Sequence, residues 1–139
     1  MKYFTLAELL ESQAARRKNI TEQFNPPGEV VLALNNLVDN ILDPLRESYG
    51  KPIRISSGYR CKRVNAAVGG ASTSQHLLGQ AADIQAADGL NMPLFEFIKE
   101  MNLPFDQLLW EYGTKTNPAW VHVSFGPRNR KQILYIGVK

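Results

Sequence analysis

A single cysteine, Cys61, limits what sulfur can do in this chain. One thiol closes no internal disulfide and excludes a cysteine-based zinc site, so Cys61 reads as a packed or half-exposed thiol rather than a nucleophile. No window offers the ~20 apolar residues of a membrane span. Residues 1–12 lack a long apolar core and a small-residue cleavage site, so they do not read as a signal peptide. The expectation is synthesis in the cytoplasm, with any outside target reached by other means. No run of five Lys or Arg occurs, and the formal charge is only +3, which gives no support to a nucleic-acid arm. That mild excess would favour approach to an anionic polymer without choosing one. Repeats, low-complexity stretches and linkers are absent, and 139 residues suit one domain, with a monomer as the default.

What is present alternates helix and strand signals. Thr5 and Glu8 have capping-box spacing for a first helix. Residues 14–27 read as polar and irregular, ending at Pro26-Pro27. A long helix is predicted from Gly28 to Tyr49, because Val30, Leu34, Leu37, Ile41 and Leu45 recur at three- and four-residue steps. Pro44 should bend it and Gly50 should stop it. Strands are predicted at 52–57 and 81–85, a short helix at 60–68, and a helix over 92–101 capped by Asn91. Three successive strands follow at 106–112, 120–125 and 132–136. The expected fold is α+β: N-terminal helices packed on a small antiparallel sheet with an inserted helix.

Histidine is nearly as scarce as cysteine. The two histidines, His76 and His122, both sit in unusual settings. Side chains alternate along a strand, so Val121 and Val123 take one sheet face and Trp120, His122 and Ser124 the other. In the strand over 81–85, Ala82 and Ile84 would face the core and Asp83 the opposite way. His76 precedes Asp83 by a loop containing Gly79, flexible enough to fold back. Two imidazoles and one carboxylate could therefore converge on one face, and three N/O ligands with an open fourth position describe a catalytic zinc site. Imidazole also suits copper, nickel and iron, and one carboxylate does not decide among them. Zinc fits hydrolysis best because it needs no redox chemistry.

Taken together, Ser74-x-His76-x-x-Gly79-x-Ala81-x-Asp83 and Trp120-Val121-His122-Val123-Ser124 resemble the M15 family of zinc peptidases. Ser57-Gly58-Tyr59-Arg60 matches as well. Tyr3-Phe4-Thr5-Leu6 and Leu42-Asp43-Pro44-Leu45-Arg46 resemble the short M15A-type members often encoded by phages and mobile elements. The resemblance covers most of the chain and implies a hedgehog-related fold. It also implies Zn2+ held by His76, Asp83 and His122, and hydrolysis of peptidoglycan stem or cross-bridge peptides by a metal-activated water. D,D-carboxypeptidase and endopeptidase action, the latter as in phage endolysins acting on the cell wall after release, both remain open. Arg60 would bind substrate and stabilise the developing oxyanion, and Ser74 would bind substrate or support His76.

One position departs from the family pattern. Several members place the catalytic acid three residues before the last histidine, where this chain has Ala119. Glu111, at the end of the preceding strand, is the expected replacement as general base, with Asp106 as runner-up. The competing expectation is a catalytically inactive, zinc-bearing binding module on the same scaffold.

Overall fold

The computed structural model describes residues 1–139. Helix α1 (Leu6–Leu10) starts at the expected capping box: Thr5 Oγ1 accepts from the Glu8 N–H at 3.2 Å, and the Glu8 carboxylate accepts from the Thr5 N–H at 3.1 Å. Residues 14–27 are more ordered than their polarity suggests. They contain α2 (Gln13–Lys18) and a 3-10 turn (Thr21–Phe24). Ser12 caps α2 by accepting from the Ala15 N–H, and Asn19 ends it in the left-handed region at φ 57°. The buried face of α2 is only Ala14 and Ala15, too small for periodicity to reveal.

The long helix forms as α3 (Gly28–Leu37), a π turn (Val38–Leu42) and α4 (Asp43–Tyr49). Its apolar stripe is real: Leu34, Leu37, Ile41 and Leu45 are completely buried. Each such burial contributes about 1.5–3 kcal/mol relative to exposure. Pro44 acts through the turn before it. The Asp43 N–H reaches back five residues to the Val38 carbonyl, so the missing N–H of Pro44 falls in the first turn of α4, where it is tolerated. Gly50 stops the helix at φ 73°.

Five strands follow: β1 (Ile53–Ser57), β2 (Ala81–Ala86), β3 (Gln107–Glu111), β4 (Trp120–Ser124) and β5 (Gln132–Ile136). They form one sheet in the order β1-β2-β4-β3-β5. The α+β expectation holds, with one refinement: β5 pairs with β3 in parallel, while the other pairs are antiparallel. The chain leaves β4, crosses the end of β3 and returns on the far side of it, so β5 runs against β4 and alongside β3. Between β1 and β2 lies α5 (Lys62–Ala67), and between β2 and β3 lies α6 (Asn91–Glu100). Helix α6 packs over β2, β4 and β3, closing a core that includes Ala82, Ile84, Val121 and Val123. Asn91 is not the cap of α6. Its buried side chain bridges the Ala86 N–H and the carbonyls of Pro118 and Ala119, while Asn117 Oδ1 accepts from the first N–H groups of the helix. No helix is long and apolar enough to cross a membrane.

Candidate metal centre

Strand register assembles the site on the sheet face away from α6. Ser57, Asp83, His122, Leu109 and Leu134 are successive cross-strand partners. Cross-strand partners share a face, so Asp83 and His122 stand side by side. A register shift between Ile55 and Ser57 brings Ser57 opposite Asp83, and Ser56 Oγ donates to the Asp83 carbonyl at 3.2 Å. Bulges of this kind re-aim side chains beside active sites. Glu111 pairs with Trp120, one alternation along from Leu109 and His122, so its carboxylate projects from the same face. The closest approach is 3.5 Å, from Glu111 Oε1 to His122 Nδ1.

His76 arrives from outside the sheet. It lies on a 3-10 turn (Gln75–Leu78) that Ser74 caps, its Oγ accepting from the His76 N–H at 3.2 Å. Gly79 ends the turn at φ 72°, where a Cβ would come within 2.8 Å of the Val30 carbonyl oxygen, so glycine is required there. The imidazoles of His76 and His122 meet edge to face with centroids 5.1 Å apart.

The tautomer of His76 follows from its partner. Nδ1 lies 2.7 Å from the Gly58 carbonyl, which can only accept, so Nδ1 carries the proton. The neutral ring then presents the lone pair of Nε2, a buried atom with no hydrogen-bond partner, 3.3 Å from Asp83 Oδ1. The same carboxylate oxygen lies 3.1 Å from His122 Nδ1. A lone pair facing a buried carboxylate calls for a cation between them. Ligand atoms about 2.1 Å from a tetrahedral zinc sit roughly 3.4 Å from one another. The His76, Asp83 and His122 ligand atoms all lie within 4.8 Å of one another, so the donor set fits such an ion in number, type and spacing. A ligating histidine that donates its other N–H to a carbonyl is the usual second layer of a zinc site.

Charge at the centre is tightly coupled. Burial alone would push the Asp83 carboxyl up, but its hydrogen bond to His122, with the His76 ring beside it, outweighs that and holds it below the ordinary carboxylate range. Glu111 shifts the other way: burial pushes it up, and the negative charge of Asp83 adds to the effect. The two carboxyls are therefore pushed in opposite directions, Asp83 toward the ionised form and Glu111 toward the protonated one. Arg60 faces both. Its Nη2 lies 4.0 Å from Asp83 Oδ2 and its Nη1 donates to Asn65 at 3.1 Å. Burial lowers the Arg60 pKa, with Asp83 and Glu111 opposing. Arg60, Ser74, His76, Asp83, Glu111 and His122 all line one cleft of about 760 Å³.

Several supports were not legible from motifs. Gln23 is fully buried; its amide donates to the carbonyls of Leu10 and Tyr59 and accepts from the Cys61 N–H, fixing the backbone on both sides of Arg60. Gly58 can carry no side chain, because a Cβ would collide with the Leu9 carbonyl, and that close packing sets the height of the carbonyl that orients His76. Asp106 is not available as a base. It is fully buried, receives two side-chain bonds and one backbone bond from Arg130, and accepts from Gln75 Nε2 at 3.0 Å. These bonds, those from Arg130 first, lower its pKa to about 2. Its folded pKa lies below the ordinary 3.8, so its stabilisation is complete above that value and fades as pH falls through about 2. Asp106→Asn is therefore expected to lower stability by about 2–4 kcal/mol at neutral pH. Urea unfolding at pH 7 and pH 2.5 should show the gap from wild type narrowing in acid.

A buried two-imidazole, one-carboxylate donor set at the floor of a cleft, with a second carboxylate and a guanidinium beside it, is the equipment of a metal-dependent hydrolase. The sequence comparisons agree: a family model described as peptidase M15 matches residues 2–124, and the chain belongs to that family. A curated relative, the zinc D-Ala-D-Ala carboxypeptidase of Streptomyces albus G, is 46% identical over 46 residues. That match spans 32% of this chain and only 18% of the relative.

Proposed function

We propose that the protein is a zinc-dependent peptidase that hydrolyses peptide bonds in peptidoglycan stem or cross-bridge peptides. The observation that carries this is the Nε2 lone pair of His76 held against the Asp83 carboxylate, with His122 beside both. Family membership supplies peptide hydrolysis, and the name of the Streptomyces relative supplies the metal and the D-amino-acid substrate class.

In this reading His76, Asp83 and His122 hold the ion. Zinc there would polarise the scissile carbonyl and bring the pKa of a water toward ~7. Glu111 accepts the proton as the water oxygen bonds to the acyl carbon, and returns it to the amine nitrogen as the C–N bond breaks. Its raised pKa suits both transfers. Arg60, held in place by Asn65 and Asp83, offers positive charge to the developing oxyanion or to a substrate carboxylate. Ser74 acts through His76, whose backbone it caps, and lines the cleft where substrate passes.

The test is His122→Ala, assayed on purified muropeptides by mass spectrometry. Release of D-Ala or of split stem peptides should disappear while circular dichroism shows the fold retained. Cleavage that persists in this variant contradicts the proposed metal site.

A further inference from the structure

Glu111 pairs across the strands with Trp120, which stands on the same sheet face two residues before His122. Trp120 and its neighbour Tyr112 both line the cleft of the metal centre. An indole nitrogen can only donate. Trp120 Nε1 is buried and closes no full hydrogen bond, yet the Glu111 carboxylate is an acceptor on which this N–H acts. Buried donors are normally satisfied, so an open one beside a candidate base calls for a reason. The other hold on Glu111 is weak. His122 Nδ1 lies 3.5 Å from its carboxylate and nearer to Asp83 Oδ1, at 3.1 Å. An imidazole nitrogen that serves Asp83 or an ion no longer fixes Glu111.

The indole is braced from its other side. Its ring meets that of Tyr112 with centroids 5.2 Å apart. Tyr112 stands in the left-handed region at φ 58°, an unusual place for an aromatic residue. The end of the chain keeps it there. The Tyr112 N–H donates to the Ile136 carbonyl at 2.7 Å, and the ring covers Gly137, where a Cβ would collide with it. Strand β5 and Gly137 lie beyond residue 124, where the family match ends. Backbone strain persists where the surrounding structure over-determines it, and functional sites concentrate it.

We propose that Trp120 is a positioning residue for Glu111: its N–H closes on one carboxylate oxygen as substrate enters and leaves the other oxygen to take the proton of the water. Tyr112, clamped by β5, sets the plane of the indole. This rests on the hydrolase reading above and adds to it the group that aims the base. Hydrogen bonds among catalytic groups are often long before substrate binds and tighten in the complex, which accounts for the open N–H.

The test is a double-mutant cycle read by steady-state and single-turnover muropeptide hydrolysis, with zinc content and circular dichroism on each sample. Trp120→Phe removes the N–H and keeps an aromatic ring. It should lower kcat by about tenfold or more and leave KM within about twofold. In a Glu111→Gln background the same change should cost less than about twofold, because residues that act as a unit are not additive. Tyr112→Gly is the second variant, at an exposed position where glycine tolerates the backbone. It should lower kcat in the wild-type background and do little beside Glu111→Gln. Should Trp120→Phe lose zinc or unfold, Tyr112→Gly decides by the same criterion. Undiminished kcat, or an equal loss in both backgrounds, overturns the inference and leaves the hydrolase reading intact. A wild type that cleaves no muropeptide defeats the hydrolase reading and the inference with it.

Discussion

Glu111→Gln should retain one zinc per chain, keep its thermal stability and lose roughly 10²–10⁴-fold in kcat, the usual contribution of a positioned acid or base. The substitution preserves shape and removes only the ability to carry a proton. KM should change little, since Glu111 approaches His122 and the cleft rather than a remote binding surface. Single-turnover hydrolysis of a muropeptide, with metal content measured on the same sample, separates chemistry from binding. Full activity in this variant would remove Glu111 as base and leave the position of Ala119 without a substitute. The binding-module alternative would gain if wild type and variant were equally inactive with zinc in place.

Asp83→Asn is expected to weaken zinc binding by more than the 10–100-fold that loss of an outer-layer partner costs, because Asp83 touches both histidines directly. The amide keeps the volume and much of the hydrogen bonding of the carboxylate but removes its charge. Chelator competition should report the loss of affinity. Zinc should raise the melting temperature of wild type and leave that of the variant nearly unmoved, as linkage requires when an ion binds only the folded state. Equal zinc affinity in both proteins would show that the ion, if it binds, binds elsewhere.

The sequence and the structure agree most closely where periodicity is strong. Leu34, Leu37, Ile41 and Leu45 mark the core helix, and the alternation through Val121, His122 and Val123 separates the buried face from the site face. Alternation and a glycine-containing loop allow His76, Asp83 and His122 to converge, whereas Glu111 is picked out only by the family resemblance and its departure at Ala119. Register was harder to read. Nothing local to residues 132–136 shows that β5 lies beyond β3 and parallel to it, because pairing partners are chosen by crossing connections. Helix α2 hid behind two alanines. Gln23 and Arg130 carry no signal in the sequence, and Asn91 and Asp106, expected as a helix cap and a runner-up base, are buried supports instead, because a polar residue reads the same whether solvated or buried. Only the tertiary fold shows that Gln23 flanks Arg60, or that Asp106 joins the turn carrying His76 to the loop after β4.

The most direct measurement is metal content and muropeptide hydrolysis on one preparation, by elemental mass spectrometry and product analysis with and without chelator. The account predicts about one zinc per chain, expected from the single His76, Asp83, His122 cluster. It also predicts peptide cleavage that chelator abolishes and added zinc restores. A folded protein that takes up no metal, or that cleaves equally well in the presence of chelator, would contradict it.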